Sequence, residues 1–244
     1  LSYTVSTAMP SNETRLVGRH VTYLESTDST NNRALECFED GAVFVAEAQY
    51  AGRGRLGRKW HSTPGLGLWF SVSLAGPLPG VSLAAAVAVR DAVADQIPLD
   101  IKWPNDLYHG KRKLCGILVE QRGQRMALGI GLNVNHQLAD FPPALRHRTG
   151  SLAIAANRQW DRMVLLERLL RCLDDAVTRL YRGEIDRIRA EWLDACDIIG
   201  REIRRGSVSG IVADLDKDGA LLVRTKDGIK RITCGDVAVV GYYR

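Results

Sequence analysis

The sequence predicts an α+β fold, a mixed β-sheet with helices followed by a small all-β appendix. Three observations carry this. The chain has 244 residues, 45% hydrophobic and 25% charged, enough for a real core. Strand-like and helix-like runs follow one another without a repeat as far as residue 195. After Cys196 the texture turns to short β-rich runs broken by Asp218-Gly219 and Asp227-Gly228. The expected division is a loose tail over 1–18, a main domain over 19–195 and a small barrel-like domain over 196–244.

The elements follow in order. VTYLES at 21–26 reads as a strand; a helix then starts with Ser29 or Thr30 as its cap and Gly41 past its end. AVFVAEAQ at 42–49 is a second strand. Leu66, Leu68, Phe70, Val72 and Leu74 alternate as in a half-buried strand stopped by Gly76-Pro77. Ser82 caps an Ala/Val-rich helix running towards Gln96. LDIKW at 99–103 is a short strand, and two longer strands meet in a hairpin at Arg122-Gly123-Gln124. From Asp161, Leu166, Leu169, Leu170, Leu173, Val177 and Leu180 keep helical spacing, with Gly183 past the end. Ile185, Ile188 and Trp192 mark one more helix.

Net charge is +5, and no Asp or Glu occurs from Ala48 to Arg90. Such an excess suits an anionic ligand. The five cysteines are scattered, which argues against a disulfide framework and a zinc site and for a reducing cytoplasm. No apolar run approaches the length of a membrane span, and the first residues do not read as a signal peptide.

GRGRLGRKW, at 52–60, places Arg53, Arg55, Arg58 and Lys59 among Gly52, Gly54 and Gly57, and closes on Trp60. The spacing fits G-x-G-x-x-G, but no helix can open at RKWHSTPGLG, and no acidic ribose ligand follows. A Walker loop fails because Arg58-Lys59 stands where Lys then Ser or Thr is needed. Three readings stay open: a solvated basic loop, a nucleic-acid contact, or a mobile flap over a phosphorylated ligand, to which compensation by a bound anion is the first expectation.

Other stretches carry chemistry. In KWPND, at 102–106, Pro104 restricts Trp103, and Asn105 and Asp106 sit on a turn at a strand end. Lys113 stands where a cationic run becomes an apolar strand; pointing inward it needs an anionic partner, and otherwise it snorkels. GIGLNVN, at 129–135, supplies strand backbone without side chains, which marks either close approach of a ligand or a bulge.

Taken in order, DSTN (28–31), AEAQYAGRGRLGRKWHS (46–62), KWPNDLY (102–108), KRKLCGILVE (111–120) and GIGLNVN resemble the biotin protein ligases, from about residue 20 to the C-terminus and most strongly to Asn135. The resemblance implies a class II synthetase-like catalytic domain with an SH3-like C-terminal barrel. It implies adenylation of biotin by ATP, with Mg²⁺ accompanying the nucleotide, and transfer of biotin to one lysine of a carboxylase's biotin carboxyl carrier domain. Carried over by position, Ser29 and Thr30 hold the ureido ring beside Asn31, and Gln49 lies by the biotin head. Gly52, Arg53, Gly54 and Arg55 wrap the biotin tail and phosphates, and Arg58 adds charge near the triphosphate. Gly116, Leu118, Gly129 and Gly131 line the biotin slot. Trp60 borders the adenine, with Asn133 as a polar contact. Lys113 bridges carboxylate and α-phosphate, and Asp106 stands nearest the incoming lysine. Arg53, Asp106 and Lys113 are the implied catalytic set. Cys115, where the family often has Ala, reads as a buried thiol.

Some members carry an N-terminal winged helix. Only about twenty residues precede the first strand, so the expectation is a ligase without repressor activity. The rivals are a lipoate-type acyl ligase of the same fold and a nucleic-acid-binding protein using the basic loop. A homodimer is left open; a membrane partner is not expected.

Overall fold

The computed structural model describes residues 16–233, 235 and 237–240. Residues 1–15 of the expected tail, Cys234, Asp236 and residues 241–244 lie outside the described residues. The tail was expected to reach Gly18, but Leu16 and Val17 are already anchored. Their N–H groups donate to the Asp174 carboxylate at 2.8 and 2.9 Å, and Val17 is fully buried.

β1 (Val21–Thr27) and β2 (Val43–Gln49) are parallel neighbours joined through α1 (Thr30–Glu36). Ser29 is the capping residue of α1, yet its hydroxyl makes no cap bond. Asp28 binds this corner instead. Its carboxylate accepts from the Ser29 N–H at 2.7 Å, the Thr27 hydroxyl at 2.9 Å and the Asn32 amide at 2.5 Å. Burial raises the Asp28 pKa, but these hydrogen bonds and the Arg33 charge outweigh it and hold the carboxyl at about 2.

β3 (Gly67–Ala75), β4 (Asp100–Lys102), β5 (Asp106–His109), β6 (Arg112–Arg122) and β7 (Arg125–Asn133) complete a seven-stranded sheet of order β1-β2-β3-β7-β6-β5-β4. Every pairing beyond β1–β2 is antiparallel, so the sheet is mixed as expected. β6 and β7 turn through Gly123-Gln124, with Gly123 at φ 57°, a conformation that favours glycine. β5 was not foreseen as a strand, and it takes Asp106 out of the predicted turn and into the sheet.

β3 is buried along both faces rather than half-buried. Phe70, Val72 and Leu74 enter the main core, while Ser71 on the other face donates to Asn31 Oδ1 at 2.6 Å and lies 2.7 Å from Thr30 Oγ1 under α1. Serines there read as a solvent face, but they are hydrogen-bonded acceptors and donors beneath a helix. On the main-core side lie α2 (Val81–Asp91), α4 (Arg162–Tyr181) and α5 (Ile185–Asp194), with α2 packed on both others; the short α3 (Leu152–Ala156) precedes α4. Gly80, not Ser82, caps α2, which ends at Asp91 short of Gln96. Asp161, where the helical spacing begins, is the cap of α4, accepting from Met163 and Val164 N–H.

β8 (Glu202–Arg205), β9 (Val208–Leu215), β10 (Leu221–Thr225), β11 (Gly228–Ile232) and β12 (Ala238–Val239) form a second, antiparallel sheet of order β11-β10-β9-β8-β12. The expected barrel is not closed among the described residues, because two-residue β12 pairs only with β8 and leaves β11 as the opposite edge. The β10–β11 turn falls at Lys226-Asp227, with Gly228 already paired to Thr225. Trp103 ties the sheets together, its indole N–H donating to the Gly219 carbonyl at 2.8 Å.

His136 sits just beyond β7, 2% exposed, stacked on Phe141 at 4.8 Å and edge-on to Trp69. Burial lowers its pKa to about 4, against the opposing pull of Asp140 and the Leu66 backbone. The folded protein thus keeps His136 neutral where the unfolded chain takes a proton near pH 6.5. Its contribution is intact above about 6.5 and is lost as pH falls towards 4. Denaturant unfolding should show a stability about 2 kcal/mol lower at pH 5.0 than at 7.5 from this group alone, and His136→Phe should remove that part of the slope. An unchanged slope in the variant contradicts the assignment.

Candidate active site

The ends of β1 and β2, the N-terminus of α1 and the faces of β6 and β7 enclose a cavity of about 640 Å³ under the glycine–arginine segment. Its floor is bare backbone. Gly116 pairs with Gly131 across β6–β7, and Leu118 with Gly129, in a register without interruption, so the glycines mark close approach and not a bulge. A Cβ at Gly131 would fall 2.6 Å from Trp60 Cε2, and one at Gly116 would fall 3.0 Å from Trp60 Cζ3. Trp60 therefore stands on the two glycines assigned to the biotin slot. Its indole N–H is buried without a hydrogen-bond partner among the described residues.

The polar end is built from the DSTN corner. The Thr30 N–H and hydroxyl both donate to Gln49 Oε1, at 2.9 and 3.2 Å, and Gln49 Nε2 donates to Ser62 at 2.9 Å. Asn31, 3% exposed, donates to Glu120 Oε2 at 2.7 Å and to the Leu118 carbonyl at 3.3 Å. Ser29, Thr30, Asn31 and Gln49 all line the cavity.

The glycine–arginine segment is a hooked hairpin. Arg53 and Lys59 form a β-bridge, Gly54 N–H donates to Arg58 O at 2.7 Å, and Trp60 N–H donates to Gly52 O at 2.9 Å. Gly52 forms the neck and does not line the cavity, as a Cβ there would lie 2.9 Å from Trp60 O. The protein itself supplies part of the compensation expected from an anion. Arg53 donates through Nε to Glu120 Oε1 at 3.0 Å and through Nη2 to Asn32 Oδ1 at 2.6 Å. Arg55 donates to Asn105 Oδ1 at 3.0 Å and to the Gly235 carbonyl of the C-terminal sheet at 3.3 Å.

At the opposite wall Lys113 points inward and meets Asp106, with Nζ to Oδ1 at 2.6 Å. The ammonium also lies 5.4 Å from the Trp60 ring centroid. Among the described residues, Asp106 is the only carboxylate lining the cavity, against Arg53, Arg55, Arg58, Lys59, Lys113 and Arg148. This is a field for a polyanion. Burial pushes the Cys115 thiol well up, consistent with an inert side chain.

Asn133 does not reach the cavity. It is buried, and its amide donates to the Gly150 carbonyl at 3.0 Å. It shapes the segment carrying Leu145, Arg148 and Thr149, which do line the cavity and were missed, as was Tyr108. A bridge between Lys113 and Thr149 brings them there. Arg146 and Arg148 were the only sequence signal, and they lack the glycines that drew attention to residues 52–60.

Two family models match the chain: the Biotin/lipoate A/B protein ligase family over residues 23–136 and the Biotin protein ligase C terminal domain over residues 198–240. The bifunctional ligase/repressor BirA of Bacillus spizizenii is 34% identical, covering 92% of this chain and 75% of its own. The biotin–[acetyl-CoA-carboxylase] ligase of Paracoccus denitrificans is 32% identical over 88% of this chain and 98% of its own. The biotin protein ligase of Aquifex aeolicus, solved with biotin and ATP, superposes with a TM-score of 0.78 at 30% identity, covering 90% and 97% of the two chains. The glycine floor, the arginine hairpin and the inward lysine thus occur in a chain that belongs to the biotin/lipoate A/B protein ligase family.

Proposed function

We propose that the protein is an ATP-dependent biotin protein ligase acting on the lysine of a biotin carboxyl carrier domain. The observation that carries this is one cavity floored by the strand glycines Gly116, Gly129 and Gly131 and lined, among the described residues, by six cations and one carboxylate. The first part suits a small ring system with an acyl tail; the second suits a triphosphate. Residues 19–195 then form the catalytic domain, and 196–244 an appended domain touching the lid through Gly235.

The chemistry follows from need. A carboxylate is a poor electrophile, and attack of the biotin carboxylate on the α-phosphorus of ATP, expelling pyrophosphate, gives it a good leaving group. Thr30 and Gln49 are held by each other and by Ser71 and Ser62, so they meet the ureido ring already oriented, with Ser29 and Asn31 beside them. Lys113 neutralises charge growing between carboxylate and phosphate. Arg53, Arg55 and Arg58 cover the acyl-adenylate and keep water from it. Mg²⁺ accompanies ATP. Asp106, the carboxylate among the described residues that line the cavity, would be the side chain placed to help hold it, and the ion would neutralise charge on the phosphates.

The Lys113–Asp106 pair links the two steps. Arrival of phosphate draws the ammonium away from Asp106 and frees that carboxylate to orient the acceptor amine. Asp106→Ala should lower transfer from preformed biotinyl-5′-AMP about 100-fold. Unchanged transfer counts against this role. No helix among the described residues is long and apolar enough to cross a membrane, and Cys37, Cys115, Cys172 and Cys196 are free thiols. A reducing cytoplasm suits both.

The test is incubation with ATP and either biotin or lipoate, reading adenylate and pyrophosphate. Adenylate from lipoate but not biotin would select the lipoate-type reading. Salt-dependent binding of DNA or RNA that vanishes with Arg53→Ala and Arg55→Ala would select the nucleic-acid one.

A further inference from the structure

Glu120 lies outside the cavity lining, yet two residues of that lining converge on it. Its Oε1 accepts from Arg53 Nε at 3.0 Å, and its Oε2 pairs with Arg53 Nη2 at 3.0 Å. The same Oε2 accepts from Asn31 Nδ2 at 2.7 Å. The side-on ion pair fixes the plane of the guanidinium. Asn32 Oδ1 takes Nη2 as well, and Asn32 is itself held by Asp28. Two of the three guanidinium nitrogens, Nε and Nη2, are therefore committed to the protein. Asn31 in turn accepts from Ser71 and abuts the Gly129 floor. One carboxylate on β6 thus sets both the lid arginine and the corner of α1 that closes the opposite side of the cavity.

We propose that Glu120 is a positioning residue for adenylation: it sets Arg53 and Asn31 in register so that biotin and its adenylate are gripped from both sides at once. It touches no substrate and acts through those two side chains. This rests on the biotin ligase reading of the cavity. Simple Coulomb attraction argues the other way, because removing a carboxylate makes the cavity more cationic and favours anions. The sign of the effect therefore decides between positioning and mere competition for Arg53.

The experiment measures biotin KM, adenylation kcat and escape of biotinyl-5′-AMP for the parent, Glu120→Ala, Glu120→Gln, Arg53→Ala and the Glu120→Ala/Arg53→Ala double variant. Glu120→Ala should raise biotin KM and adenylate escape about tenfold, the scale of one charge-assisted hydrogen bond, with kcat within about threefold. Glu120→Gln, which keeps one acceptor oxygen and the shape of the side chain, should fall between. The double variant should fall short of the sum of the two single effects, since both substitutions break the Arg53 linkage and Glu120→Ala adds only the loss of the Asn31 contact. A parent that adenylates biotin with Glu120→Gln and Glu120→Ala indistinguishable from it overturns the inference. So does a lowered biotin KM, or an effect that adds in full to that of Arg53→Ala. A parent that forms no adenylate from biotin overturns the ligase reading and this inference with it.

Discussion

Lys113→Ala lowers the rate of biotin adenylation by about 10²- to 10³-fold while weakening biotin binding less than about tenfold. The asymmetry follows from where the charge is needed. Bound biotin carries one negative charge and can draw on Arg53, Arg55 and Arg58, which line the same cavity. The transition state concentrates charge between the carboxylate and the α-phosphate, and Lys113 points inward at that wall, 2.6 Å from Asp106. Its loss leaves Asp106 one-quarter exposed and hydrated, so the fold should change by no more than about 1 kcal/mol. Pyrophosphate release reports the rate and calorimetry the binding. Comparable rates for variant and parent would remove Lys113 from the mechanism.

Gly129→Ala is the second large effect. A Cβ at this position collides with Asn31 Oδ1. Asn31 has nowhere to go. It is buried, accepts from Ser71 at 2.6 Å and donates to Glu120 and Leu118. Relief must come from displacing the start of α1, which carries Ser29 and Thr30. The expected cost is about 2–3 kcal/mol of stability by overpacking, with biotin binding weakened about 100-fold. Gly54→Ala is the contrast: its Cβ would meet nothing closer than Arg58 O at 3.7 Å, and its stability should stay within about 0.5 kcal/mol of the parent. A Gly129→Ala protein with parental melting and biotin affinity would contradict the close packing of this floor.

Some of the structure was legible because its cause is local. The apolar spacing from Leu166 to Leu180 faces the core, since helix period depends on neighbours in the chain. The β6–β7 hairpin at Gly123 follows from a turn that only a few residues accept. The site residues were found through dense local motifs, and most of them converge on one cavity. What failed is non-local. The two-faced burial of β3 depends on where α1 lands, and Ser71 and Ser73 resemble a solvent face until a helix covers them. Arg148 and Thr149 join the cavity through a bridge to Lys113 across more than thirty positions of sequence.

By itself the sequence determined the α+β order, the small C-terminal β unit and many of the residues that line the cavity, because periodicity, turn chemistry and motif spacing are written along the chain. Only the tertiary structure decided which charges meet. It turned Lys113 onto Asp106, gave Arg53 to Glu120 and Arg55 to Gly235, and set Trp60 on Gly116 and Gly131. The physical reason is that a buried charge is stabilised by whatever opposite group packing brings within about 3 Å, and that separation is a property of the packed sheet rather than of the chain.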